Sequence, residues 1–533
     1  VNAARIVDEL TAAALDVRWY VRELAPVSEY GRRAYALIEP YVRGQEREAQ
    51  ERAARIAAFA ERLDEQRLDA IRDVLRGVPD ALPAIARVAL GDILSDADFL
   101  IALRFCDAFA RLRTLVADAG NAAPSIDDAA LRAAADALER GRSGKFGFYL
   151  RDALHRGLKS ARTAERAAQE AYERDRGRVA AAVGLALQRD DLDGEFIVLR
   201  ANAPATLPPD VRVIREAPTY LLCEIELDDA ALEGLRERDA AAAAVAAVEE
   251  EARSALSTAL REYSSGMEGG AQWIGELDVL VAAALYTRSN CCTVPQIEDE
   301  PIVSFEDARH LPLAQRLARE GRAYAPIAVD LHGVAVLTGP NMGGKSVALR
   351  TCGALAFCAA FGLPVPAARA RVALFERIAW VGVGAQEPEG GSLLSAFASE
   401  VVRLRDLLSA DAERMLVLAD EFARTTTPQE GRALLVALIE RLRALGGCAF
   451  IATHLAGVAR AAGVRHLAVR GLRGIPRKPD TEDLDRALAA LAESMDYTLA
   501  EVTDDAAPPA DAIALASLLG LDDDLIAAAR KAL

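Results

Sequence analysis

Ala335-Val336-Leu337-Thr338-Gly339-Pro340-Asn341-Met342-Gly343-Gly344-Lys345-Ser346 sets an apolar strand pattern directly before a G-x-x-x-x-G-K-S loop, and a helical pattern over residues 347–361 comes at once after it. Strand, glycine loop and helix in that order make an anion cradle. Glycines let successive backbone N–H groups close around phosphate oxygens, and the helix N-terminus adds its dipole. By this reading Gly339, Pro340, Asn341, Met342, Gly343 and Gly344 form the cradle, Lys345 reaches the β- and γ-phosphates, and Ser346 offers a hydroxyl to Mg²⁺. The expected ligands are ATP and Mg²⁺. A glycine-rich turn with a solvated lysine is the bland alternative, and the strand before and helix after weigh against it.

Two further strand ends complete the set. Met415-Leu416-Val417-Leu418-Ala419-Asp420-Glu421 is an apolar run ending in two acids, at the separation from the loop typical of a metal-holding strand. Asp420 is the candidate metal ligand and Glu421 the candidate general base for an attacking water. Cys448-Ala449-Phe450-Ile451-Ala452-Thr453-His454 closes another strand on a histidine that would sense the γ-phosphate. A lone histidine after a strand is more often structural. Lys345, Glu421 and His454 are thus the candidate catalytic residues.

Around this centre the period of the apolar residues changes along the chain. From the start to about Asp190 they recur three and four apart, with breaks at Pro26, Gly77-Val78-Pro79 and around Ala119 to Pro124, which predicts a helix-rich arm. Residues 195–199 and 219–225 read as short strands separated by a proline-rich loop, and residues 230–263 return to a helical pattern. A small β insertion is therefore expected at the tip of two long antiparallel helices. After Ser289 short apolar strands alternate with helices at 334–337, 347–361, 415–419, 431–445 and 448–452, the pattern of a parallel sheet with crossover helices.

The chain has 533 residues, 52% hydrophobic and 27% charged, enough for a large core split over two or more domains. No run of about eighteen apolar residues occurs, and Arg5, Asp8 and Glu9 stand where a signal peptide needs apolar ones, so a cytoplasmic protein without a membrane partner is expected. The seven cysteines never form C-x-x-C and no histidine lies near them at ligand spacing, so reduced, mostly packed thiols and no metal cluster are expected. A net charge of −17 weakens a nucleic-acid reading without removing it, because a local basic face can coexist with an acidic remainder.

Thr338-Gly339-Pro340-Asn341-Met342-Gly343-Gly344-Lys345-Ser346 resembles the MutS family's form of the phosphate loop, in which the Pro-Asn-Met insert is the specific part. Ala452-Thr453-His454 is similar to that family's switch, and Gly384-Ala385 with Leu394-Ser395-Ala396-Phe397-Ala398-Ser399-Glu400 resembles its signature region. Residues 26–33 with Leu37, 77–91 and 275–280 resemble parts of the lever, and 511–533 resemble the closing helix of the ATPase domain. The resemblance implies an α/β P-loop NTPase of ABC type, with a parallel-rich sheet and flanking helices, over residues 288–533. Before it would stand a mainly α-helical lever domain over residues 1–287, with a clamp-like insertion near 166–265. It further implies Ser395 acting on the partner's γ-phosphate across a homodimer or MutS-like heterodimer. The amino-terminal mismatch-reading and connector domains would be absent, and Phe59-Ala60-Glu61, a wedge-like string, lies inside an amphipathic helical pattern and is read as chance.

Two departures from the family pattern bear on the dimer contacts, and an insertion is either a partner-docking element or, more commonly, a solvated surface elaboration. Where the repair proteins carry Gly-Arg-Gly-Thr-Ser-Thr, this chain has Ala423-Arg424-Thr425-Thr426-Thr427-Pro428. The acid doublet of the signature region is replaced by Gln386-Glu387-Pro388-Glu389, and a basic loop at 470–479 with an apparent helix at 482–494 stands where a short hairpin is usual. The family resemblance implies coupling of ATP hydrolysis to DNA, whether duplex, branched or mismatched. The run Asp420-Glu421-Phe422-Ala423-Arg424-Thr425-Thr426 also resembles MutS-related ATPases that reactivate the cobalamin-dependent lysine 5,6-aminomutase, which would make an aminomutase the partner. A nucleotide-binding scaffold without turnover is the third reading.

Overall fold

A computed structural model describes residues 2–532 apart from 145, 189–191, 193, 341–342, 383–395, 410–413, 425, 473–493, 503–512, 514–515 and 518–520. The chain folds as two compact units that interleave along the sequence: Val1–Gly77, Arg111–Ser125 and Gln272–Leu533 form one, and Val78–Ala110 with Ile126–Ala271 the other.

The first unit is mixed α/β. Among the described residues its central sheet has six strands in the spatial order Arg377–Gly382, Met415–Asp420, Cys448–Ala452, Val334–Thr338, Arg465–Leu472 and Met495–Glu501. Five run parallel and Met495–Glu501 closes the edge antiparallel. The three middle strands are buried at every residue, as continuous apolar runs covered on both faces must be. Helices Ala396–Leu408 and Pro428–Ala444 are crossovers, and Leu435, Leu438, Ile439 and Leu442 of the latter pack on Val336, Val417 and Ile451 of the sheet. The expected strands at 334–337, 415–419 and 448–452 and the expected helices at 347–361 and 431–445 appear within a few residues of their places, while most of the helix expected at 482–494 lies outside the described residues. Not anticipated were the strands Arg377–Gly382, Arg465–Leu472 and Met495–Glu501 of this sheet, and a second, mainly antiparallel sheet of Gln296–Glu298, Arg369–Ala373, Ile302–Ala308 and Ile327–His332.

The edge strand Arg377–Gly382 is covered by the chain's first residues. Ile378 N–H donates to the Ile6 carbonyl at 2.8 Å and Trp380 N–H to Thr11 Oγ1 at 3.0 Å, while Ile6, Val7 and Leu15 are buried. Arg403 of the Ala396–Leu408 helix donates to Asp8 Oδ1 at 3.0 Å and Thr11 Oγ1 at 2.9 Å. An exposed strand edge is a template for wrong pairing, and this contact removes it.

Residues 26–33 and 275–280, both read as lever segments, meet in the same unit. The helices Glu29–Ala36 and Ser264–Ser289 approach so closely that a Cβ on Gly275 would lie 2.8 Å from the Tyr30 carbonyl. Asp278, 1% exposed, accepts from Ser28 N–H and Ser28 Oγ at 2.6 Å each and from Val27 N–H at 3.1 Å. Burial raises its pKa against the pull of these donors. Phe59 is fully buried on the Glu46–Arg62 helix.

In the second unit the helices Leu158–Leu187 and Asp229–Arg261 lie antiparallel, with Arg162 paired to Glu249 at 2.8 Å, Gly234 against Tyr172 and Arg178 paired to Asp228. The insertion between them has three strands, one more than expected: Glu195–Leu199, Tyr220–Ile225 and Val211–Glu216. Val183, Phe196, Val198, Leu221 and Cys223 give it a small core of its own. No helix among the described residues is long and apolar enough to cross a membrane.

Replacing Asp278 by Ala strands the buried Ser28 N–H and hydroxyl together. The expected loss is about 2–6 kcal/mol, from ~1–3 kcal/mol for each of the two stranded groups. It should appear as a lowered main thermal transition in calorimetry, and an unchanged transition would remove Asp278 as the clasp of these segments.

Candidate functional site

Parallel pairing decides where the chemistry gathers. Asp420 lies beside Ala452, and Ala452 beside Leu337, so three adjacent strands end together and deliver the 339–346 loop, the Asp420-Glu421 turn and Thr453-His454 to one edge of the sheet. Ligands of open parallel sheets sit outside these carboxyl ends. Thr453 N–H donates to the Leu337 carbonyl at 3.0 Å and Glu421 N–H to the Ala452 carbonyl at 2.9 Å, which ties the three exits to one another.

Lys345 opens the helix Lys345–Ala360, with Gly344 left-handed at φ 82° as its N-cap. Its side chain folds back on the loop, donating to the Gly339 carbonyl at 2.9 Å and the Pro340 carbonyl at 3.0 Å, and only 5% of the residue is exposed. Burial lowers its pKa, while the charges of Glu421 and Asp420 pull it back up. Asp420 is equally buried, and burial raises its carboxyl above the usual range. A hydrogen bond from Ser346 and the charges of Arg350 and Lys345 act the other way, while Glu421 adds to the rise.

The Asp420 Oδ1 atom is buried and has no hydrogen-bond partner among the described residues. An unsatisfied carboxylate oxygen beside a hydroxyl and an ammonium fits a hard divalent cation, which takes oxygen ligands. Ser346 and Asp420 are the residues that would hold Mg²⁺.

The turn after Asp420 is strained. Glu421 has φ 53° and Ala423 φ 62°, both left-handed without being glycine. Glu421 is part-buried and lies 3.4 Å from Arg424 Nη1. Ala423 N–H donates to Glu400 Oε2 at 3.1 Å, and burial raises the Glu400 carboxyl. His454 is exposed at the end of its strand. Asn341, Met342 and Ser395 lie outside the described residues, as do Gly384-Ala385 and nearly all of the 470–494 insertion.

Four neighbours of the site were not read from the sequence. Thr338 Oγ1 and His466 Nε2 are 2.8 Å apart; a Cβ on Gly339 would lie 2.9 Å from Val469, and one on Gly344 3.0 Å from the Tyr497 ring. Gly382 faces Asp420 on the neighbouring strand with φ 109°, and a Cβ there would lie 1.9 Å from the Asp420 carbonyl oxygen. Only Gly382 carried a local signal, a glycine closing the run Ile378-Ala379-Trp380-Val381. The other contacts depend on sheet order.

Fold and site together define an α/β protein whose parallel strands deliver a glycine loop, a buried lysine and paired acids to one edge. Residues 335–533 match MutS domain V. Three relatives share the name Endonuclease MutS2. That of Streptococcus equi subsp. equi is 36% identical over 205 residues, 37% of this chain and 25% of its own length. That of Clostridium botulinum (strain Loch Maree) is 30% identical over 268 residues, 47% and 33%. That of Fusobacterium nucleatum is 33% identical over 186 residues, 34% and 23%. Residues 335–533 thus carry the similarity to the MutS family, and the chain spans between about a quarter and a third of the length of these relatives.

Gly382→Ala should destabilise the protein through both its backbone and its contact with Asp420, by more than Gly446→Ala, where φ is 72° and nothing among the described residues lies within 4 Å. The control should cost about 1–2 kcal/mol, the penalty of a left-handed L-residue. Equal melting-temperature shifts for the two variants would show that the Asp420 strand end yields freely.

Proposed function

We infer that this chain binds and hydrolyses Mg-ATP at the 339–346 loop and couples hydrolysis to DNA, with residues 288–533 as the ATPase domain and residues 1–287 as a lever bearing a clamp-like insertion near 166–265. The observation that carries the reading is the pairing of a buried Lys345 ammonium, which donates to loop carbonyls, with a buried Asp420 oxygen that has no hydrogen-bond partner among the described residues. Both groups are short of counter-charge in a way that a triphosphate and its metal would correct. The MutS domain V match and the relatives' name, which specifies a nuclease, support a nucleic-acid client over a protein one. No observation favours the aminomutase client, and it is carried no further.

In this reading Lys345 exchanges its two carbonyl partners for phosphate oxygens, and the loop N–H groups and the helix N-terminus hold the β-phosphate. Mg²⁺ supplies Lewis-acid stabilisation of the phosphoryl charge. Glu421 accepts the proton of the attacking water from a turn that backbone contacts already hold, and His454 orients that water toward the γ-phosphate. Ser395 completes the partner's site in a dimer, so nucleotide binding closes the pair and hydrolysis releases it.

Lys345→Ala should abolish Mg-ATP binding in a calorimetric titration. Glu421→Ala should bind Mg-ATP as wild type does and turn over about 10²- to 10⁴-fold more slowly; wild-type turnover in that variant would remove Glu421 as the base.

The raised Asp420 carboxyl sets the sign of a pH effect. The fold favours its protonated form, so its cost to stability is present above the raised pKa and is relieved as pH falls through it. Metal binding needs the carboxylate. Affinity for Mg-nucleotide should therefore weaken on acidification sooner than for an ordinary aspartate of pKa about 3.9, and nucleotide titrations at stepped pH with and without Mg²⁺ would show it. A metal-dependent part that stays flat down to the ordinary range would contradict Asp420 as ligand.

A further inference from the structure

We propose that the hairpin of residues 142–150, in the second unit, is a stacking platform for unpaired nucleic-acid bases; this rests on the DNA reading above and names the structure within DNA that the arm engages. The hairpin consists of the short paired strands Arg142–Ser143 and Tyr149–Leu150. Its aromatics divide between an inward and an outward side. Phe148 is buried, its ring 5.1 Å from that of Phe99, and Leu150 is buried as well. Phe146 is 93% exposed and Tyr149 65% exposed. Such exposure of two large rings on one short hairpin has no role in the core, while buried Phe148 and Leu150 anchor the backbone on either side of Tyr149.

The backbone beneath these rings is held by arginines. Arg142 Nε donates to the Gly147 carbonyl at 3.0 Å, Arg151 Nε to the Arg142 carbonyl at 2.9 Å, and Arg162 Nη1 to the Leu150 carbonyl at 2.8 Å. The glycines make room for the Tyr149 ring: a Cβ on Gly147 would lie 3.0 Å from it and one on Gly144 3.4 Å. Held at these carbonyls, the described residues of the hairpin offer π-surface at Phe146 and Tyr149.

Charge selects the occupant. Residues 140–159 carry six Lys or Arg and one acid in a chain whose net charge is −17. Exposed aromatics interleaved with cations are the means by which single strands are held without sequence preference, because every base has a π-face and every link a phosphate. An intact duplex keeps its bases stacked on one another and offers the rings nothing. The fitting ligand is a single strand, or a duplex with an unpaired gap or bubble.

The test uses the full chain and fluorescence anisotropy with labelled single-stranded DNA of about 30 nucleotides, enough for several binding sites of ~4–16 nucleotides, the matching blunt duplex, and a duplex containing an unpaired bubble, each titrated with salt. Phe146→Ala/Tyr149→Ala should weaken single-strand and bubble binding about 10- to 100-fold, leave blunt-duplex affinity and the salt slope unchanged, and leave basal Mg-ATP hydrolysis at the wild-type rate. Phe146→Trp should restore binding, since a larger ring still stacks. Wild-type affinity of the double variant for every DNA would overturn the platform while leaving the DNA reading intact, and an equal loss on duplex and single strand would overturn it in favour of a phosphate contact. No binding of any DNA by the wild-type chain would remove both. Wild-type adsorption to phosphatidylserine vesicles that the double variant loses, with no change on DNA, would assign the hairpin to a lipid surface instead.

Discussion

The site depends on an electrostatic imbalance that the sheet creates. Parallel strands Val334–Thr338, Met415–Asp420 and Cys448–Ala452 end side by side, and the apolar packing that drives them together also buries the charged groups at their ends. Lys345 and Asp420 are both only 5% exposed, and each is less well satisfied than a buried charge ordinarily is. The ammonium settles for carbonyl dipoles and the carboxylate for a serine hydroxyl and distant cations. A folded protein keeps such a pair only where the rest of the core supplies the stability, and here the continuous apolar runs of three fully buried strands do so.

The turn after Asp420 shows the same principle in the backbone. Where the repair proteins have glycine, this chain places Ala423 at φ 62°, a conformation costing about 1–2 kcal/mol for an L-residue. Three contacts hold it there. Its N–H is taken by Glu400, its carbonyl accepts from Thr426 N–H at 3.3 Å, and its methyl is buried with Phe422 against the core that Leu435 and Leu438 fill. The departure from the glycine pattern is thus accommodated by packing, and the turn keeps its shape with a side chain that offers less backbone freedom than glycine would. A stiffer turn fixes Glu421 more firmly, which suits the proton-accepting role proposed for it.

Much of the fold was legible because its signals are local. The loop with its flanking strand and helix, the acid-tipped strand at 415–421 and the strand at 448–454 each declare themselves over a short stretch of sequence, and their placement on one edge is settled once the strands are parallel. The unread part is the part that depends on sheet order. The edge strand Arg377–Gly382 has no period of its own that distinguishes it from a buried loop, and its cover comes from Ile6 and Thr11, at the far end of the chain. Thr338 with His466 and Gly344 with Tyr497 are neighbours only because Arg465–Leu472 and Met495–Glu501 complete the sheet beyond Val334–Thr338. The third strand of the β insertion, Val211–Glu216, was hidden by its mostly exposed, charged face.

Net charge is a weak guide to the client for a physical reason. Electrostatic attraction to a polyanion is felt over about a Debye length, roughly 8 Å at physiological ionic strength, so a surface is recognised by the charges within that radius and not by the sum over the molecule. Many acids of this chain stand in ion pairs: Glu249 with Arg162, Asp96 with Arg253, Asp8 with Arg403, Glu501 with Arg465. Such pairs lower the field that each acid projects, whereas the stretch at 140–159 holds six cations to one acid, of which Arg142 pairs with Glu139 at 3.2 Å. An acidic chain can therefore present a locally basic surface, and the acidity elsewhere confines a polyanion to that surface.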